Sequence, residues 1–169
     1  MALTTAQLQT LKAAIFADTD PEIIAALADR VDSEIARLYN LPAAPDYFIW
    51  RNLVTWDEIM QNGIDWVRVD NLSVGKARIW EWLFKNLQTS INPTKPNIRA
   101  GIAESWKGTA ADNAVRQVVF NHCQKRATKA EKLYSTGAGT STTVDGVGPA
   151  DSTFFGDLVT DDVSAAIRS

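Results

Sequence analysis

The chain has 169 residues, 46% hydrophobic and 22% charged, with a formal net charge of −3. That length suits one domain with an appendage, or two small domains, and the acidic balance argues against a chain built as a whole to hold polyanions. One cysteine, Cys123, excludes an internal disulfide framework and a cysteine-based zinc site, and no apolar run is long enough to span a bilayer.

The first predicted helix carries Leu8, Leu11 and Ile15 on one face, with Thr4 and Gln7 fitting a capping box, and ends near Asp18. Asp20 can cap a second helix whose first position suits Pro21. Ile24, Leu27, Val31, Ile35 and Leu38 then predict one long apolar stripe that Asn40 and Pro42 terminate. Residues 41–54 hold two prolines and a mixed aromatic run, readable as extended or irregular. Thr55 with Glu58 opens a short helix that Gly63 stops.

A helix over 73–88 is the most informative element. Ala77, Trp80, Phe84 and Leu87 form one face, and Ile79, Trp82 and Leu83 widen it. A helix apolar over so much of its circumference is buried on several sides or shared between a core and a partner. Pro96 opens a further helix bearing Ile98, Ile102 and Trp106, stopped by Gly108. Thr109 caps a last long helix, 110–134, whose second half carries Lys125, Arg126, Lys129 and Lys132. Cations near a helix C-terminus stabilise the macrodipole by about 0.3–1 kcal/mol each; the alternative is a nucleic-acid contact made by those four residues.

Residues 135–152, "STGAGTSTTVDGVGPADS", have four glycines and no Lys or Arg. They read as a linker able to reach roughly 50 Å when extended. Beyond it, Phe154, Phe155, Leu158 and Val159 predict a short strand or hairpin. A terminal helical turn follows with Val163, Ala166 and Ile167. The expected fold is therefore all-α. It has a bundle of about five helices (1–134), a flexible linker (135–152) and a C-terminal docking segment (153–169). The body has 16 basic and 15 acidic side chains, whereas residues 135–169 have one Arg and five Asp. The acidity thus resides in the tail.

Catalytic patterns are weak. No GxxxxGK[ST] phosphate loop occurs, and the glycines of 137–148 follow a predicted helix rather than a strand. A triad would have to recruit the lone His122 from mid-helix. Asp57 and Glu58 fit a helix N-terminus better than a glycosidase pair. The reading is a non-enzyme without cofactor or metal.

Five segments carry a resemblance: "LTTAQLQTLKAAI", "DNLSVGKARIWEW", "INPTKPNIRAGIA", "KRATKAEKLYSTGAGT" and "FFGDLVTDDVSAA". With them the chain resembles a group of tailed-phage and prophage virion proteins, and its architecture is similar to head-tail connector (adaptor, head-completion) proteins of the phage neck. The resemblance implies a homo-oligomeric ring, twelve-fold in proteins of this kind, assembled in the host cytoplasm and placed in the virion neck between the portal and a tail or tail-terminator protein. DNA would pass through its channel without specific binding, and no membrane is involved. Phe154, Phe155, Leu158, Val159 and Val163 would then dock on the portal. Trp50, Trp56, Trp66, Trp80, Trp82 and Trp106 are the candidates for core or subunit interface. Another neck, tail-end or capsid-associated virion role stays open, as does a small DNA-binding packaging or regulatory protein.

Overall fold

The computed structural model describes residues 3–61, 63–84 and 89–169. Among them the helices are, in chain order, α1 (Thr5–Ala17), α2 (Pro21–Ala28), α3 (Asp32–Tyr39), α4 (Trp56–Gln61), α5 (Trp66–Asp70), α6 (Val74–Leu83), α7 (Pro96–Ser105), α8 (Ala110–His122), α9 (Lys129–Leu133) and α10 (Thr160–Arg168). Six short strands accompany them: β1 (Phe48–Trp50), β2 (Val54–Thr55), β3 (Ser90–Ile91), β4 (Gln124–Arg126), β5 (Ser135–Thr136) and β6 (Asp151–Ser152). They pair as β1–β4, β2–β3 and β5–β6, with β2–β3 antiparallel. The fold is thus an α+β mix, which corrects the expected five-helix bundle. The strands are only two or three residues long, too short to leave an alternating pattern in the sequence.

Local chemistry explains most helix starts. The Thr4–Gln7 capping box opens α1, Asp20 with Pro21 opens α2, Ser73 caps α6, and Thr109 with Asp112 caps α8. Two long helices read from the sequence are each broken. The stripe over 21–39 divides at Arg30, which adopts a left-handed φ of 57°. Ile23 and Ala26 face the core, while Ile24 and Val31 are exposed. The helix expected over 110–134 ends at His122, and its continuation becomes β4. A second capping box then restarts the helix as α9, with the Glu131 backbone N–H donating to Thr128 Oγ1 at 3.1 Å and the Thr128 N–H donating to Glu131 at 3.2 Å. Residues 85–88, including Leu87, lie outside the described residues.

The chain divides into two compact units. One comprises Met1–Tyr47, Arg126–Ser135 and Ser152–Ser169; the other comprises Phe48–Lys125 and Thr136–Asp151. This division differs from the partition into 1–134, 135–152 and 153–169 read from the sequence. The stretch 136–151 belongs to the second unit and 152–169 to the first.

In the first unit, Leu11 and Ile15 of α1, Ile35 and Leu38 of α3, Ala130 of α9 and Leu158, Val163 and Ala166 near the C-terminus share one buried cluster. The C-terminal segment is held by polar clamps as well. Asn40 accepts from the Leu158 N–H at 2.8 Å and donates to the Leu158 carbonyl at 2.9 Å. Glu131, 1% exposed, accepts from the Gly156 N–H at 3.2 Å. No strand or hairpin forms at 154–159, because these side-chain contacts satisfy its backbone in place of a ladder. The terminal turn is instead a nine-residue helix, α10, with the Asp162 carboxylate accepting from the Val159 N–H.

In the second unit, Trp50, Trp80, Trp106, Ile59, Ile102 and Phe120 form the centre of the core. Trp80 and Trp106 meet edge-on, centroids 5.3 Å apart, and Trp50 meets Phe120 at 5.9 Å. The glycine-containing stretch packs here: Phe48 donates to the Gly139 carbonyl at 2.7 Å, and Ala150 and β1 exchange backbone hydrogen bonds. Gly146 sits at φ 71°, and a Cβ there would come within 2.6 Å of the Phe120 ring, so only glycine fits.

Asn40→Ala removes both clamps on Leu158. It is expected to destabilise the first unit by about 1–3 kcal/mol, read as a lower denaturant midpoint in equilibrium unfolding followed by far-UV circular dichroism.

Candidate interaction surfaces

The sequence placed six tryptophans at a core or interface, and the structure separates them. Trp50, Trp80 and Trp106 are at most 2% exposed, and Trp56 is half-buried against Trp80 and Phe84. Trp66 and Trp82 are 59% and 66% exposed. Val67 on α5 and Val74 at the start of α6 are exposed too, and the sequence reading did not single them out. Their signal was there: Val74 lies two helical turns before Trp82, on the side of α6 away from Trp80.

Helix α6 therefore has two apolar faces. Trp80 turns into the core and Leu83 packs against that core, while Val74 and Trp82 face outward. Leu72, Val74, Ala77, Arg78, Glu81 and Trp82 line a shallow groove along the outward face. Large apolar side chains contiguous on a surface mark a place where something else binds.

The five C-terminal candidates divide differently. Leu158 and Val163 are core residues of the first unit, 3% and 0% exposed. Phe154 packs on that core beside Tyr134, ring centroids 5.3 Å apart. Phe155 is half-buried, and Val159, 56% exposed, presents the most surface.

The basic residues lie on two short elements, Lys125 and Arg126 on β4 and Lys129 and Lys132 on α9. Arg126 pairs with Asp46 at 2.5 Å, Lys129 with Asp18 at 2.8 Å, and Lys132 lies over the Tyr47 ring at 5.4 Å. Such engagement leaves less charge for phosphate than the sequence implied.

Lys129, Asp18 and Tyr39 form a network in a pocket of about 800 Å³ that Asp20, Leu41 and Lys132 also line. The Tyr39 hydroxyl donates to Asp18 at 3.1 Å. Burial pushes the Asp18 carboxyl up. Hydrogen bonds from Lys129, the Asp20 N–H and Tyr39 outweigh that and hold it below its usual value. Burial and then the Asp18 charge push the Tyr39 phenol up, so it remains a donor.

Among the described residues no group of three His, Cys, Asp or Glu could hold a metal ion. Cys123 is fully buried, and burial pushes its thiol up to about 12, which makes it a poor nucleophile. The Glu58 carboxylate is engaged by the Thr55 cap and by Arg51 at 2.7 Å. No helix among the described residues is long and apolar enough to cross a membrane. No protein-family model matches the chain, and comparisons with curated proteins and with solved structures found no significant match.

The depressed Asp18 pKa contributes stability that is present above about pH 4, the range of an unfolded aspartate, and is lost as pH falls through the lower folded value. Lys129→Met removes the ammonium. It is expected to raise the Asp18 pKa, read from its side-chain NMR titration, and to move acid unfolding to higher pH.

Proposed function

We propose that the chain is a structural subunit of a tailed-phage virion, a head-tail connector that forms a ring between portal and tail and docks on the portal through its C-terminal segment. The observation that carries this reading is the doubly apolar α6. A helix that places Trp80 in the core and leaves Trp82 and Val74 in water is suited to a protein that works by assembly. The resemblance of five segments to virion proteins supplies the setting: assembly in the host cytoplasm, a place in the neck, and a tail or tail-terminator protein on the far side. Side-by-side contacts around a ring are heterologous, so a second, unlike surface is required. The engaged state of Arg126, Lys129 and Lys132 favours this over a DNA-binding role and fits a channel that lets DNA pass.

Portal docking has two stages in this reading. Val159 and Phe155 can be met while the segment stays seated. Engagement of Leu158 and Val163 requires residues 152–169 to leave the first unit and give up the Asn40 and Glu131 clamps. A truncation at Ser135 would remove core residues, so surface substitutions make the sounder test.

In sedimentation velocity with the cognate portal, the full chain is expected to co-sediment. Phe155→Asp with Val159→Asp is expected to weaken that association at least about tenfold while the fold is retained. A chain that remains monomeric and ignores the portal contradicts the proposal.

A further inference from the structure

At 100° per residue, Ala77, Glu81, Val74, Arg78 and Trp82 occupy one continuous arc of about 140° on α6. Trp80 and Leu83 point the other way. With Leu72 these five residues line one shallow groove, the large Trp82 at one edge of the arc and the small Ala77 at the other. Between those two in the chain stand one cation and one anion, Arg78 and Glu81. Neither makes an ion pair among the described residues, and both are exposed. A surface with a large and a small side chain at its two edges and opposite charges on either side of its midpoint is complementary to itself when turned through a half rotation.

We propose that the outer face of α6 pairs with the same face of a second copy, antiparallel about a two-fold axis passing between residues 79 and 80. This register sets Arg78 against Glu81 of the second copy, and the reverse, giving two reciprocal ion pairs. It also sets each Trp82 against the Ala77 of the other copy. The pairing rests on the reading of α6 as a contact surface and names its occupant. It does not require the portal. Two short helices bury less than the roughly 800 Å² per partner of a standard interface. The pair is therefore weak, with a dissociation constant of about micromolar order, and it can give way when larger contacts form. Its role is to cover the Trp82 ridge of the unassembled chain.

Reciprocity provides the test. In Arg78→Glu protein the pair faces Glu against Glu twice, and in Glu81→Arg protein it faces Arg against Arg twice. A copy of each, mixed, restores two Glu–Arg contacts. By sedimentation equilibrium, the unaltered chain is expected to dimerise with rising concentration. Each variant alone is expected to dimerise at least about tenfold more weakly, and the equimolar mixture to recover a dimer containing one copy of each, identified by native mass spectrometry. Trp82→Ala is expected to weaken all combinations. Circular dichroism confirms that the variants are folded. A mixture no better associated than its components overturns the two-fold pairing. If that mixture still joins the portal, α6 meets an unlike surface and the connector reading stands. A chain that neither dimerises nor joins the portal contradicts both.

Discussion

The first unit depends on apolar side chains that arrive last. Leu158, Val163 and Ala166 complete a core whose other members come from α1, α2, α3 and α9 together with Tyr134, the residue that follows α9. Burial of a Leu or Val side chain contributes about 1.5–3 kcal/mol, and a whole domain is stable by only about 5–15 kcal/mol. The C-terminal segment is therefore an integral layer of that unit. Two polar side chains fix its path. Asn40 reads the backbone of Leu158 as a neighbouring strand would, and buried Glu131 caps α9 with one oxygen while the other holds Gly156. A carboxylate so deeply buried needs such donors.

This arrangement bears on how the molecule could work. Segments that hold a unit together are poor free tethers, and any docking that uses Leu158 or Val163 competes with the unit's own core. Surfaces that are exposed without cost to the fold are better first contacts. Trp82, Val74, Trp66 and Val67 in the second unit, and Val159 in the first, satisfy that condition. Helix α6 carries the clearest division of labour, because its inward face is fixed by the Trp80–Trp106 contact whatever its outward face meets.

Much of the helical framework was legible from local signals. Thr4, Asp20 and Thr109 cap where their spacing implied, Ser73 rather than Asp70 caps α6, and Pro96 opens α7. The breaks were harder to read. Arg30 takes a left-handed conformation that an arginine does not advertise. The Thr128–Glu131 capping box lies inside an apolar pattern that runs through it, and that periodicity alone predicts an unbroken helix. Strands of two or three residues leave no period. The destination of residues 152–169 is set by Asn40 and Glu131, more than a hundred and about twenty-five positions away for Leu158 and Gly156, which no local rule conveys. Of the candidate surface, spacing identified α6 as apolar on several sides. Which tryptophan faces the core followed only from the packing of Trp80 against Trp56 and Trp106.

Hydrogen–deuterium exchange on the isolated chain tests most directly whether the C-terminal segment is a structural layer. The account predicts that the amides of Leu158 and of α10 exchange as slowly as those of α1 and α3, through opening of the whole unit. Rapid exchange across 158–168, with α1 and α3 still protected, would contradict it and return the segment to a free tail.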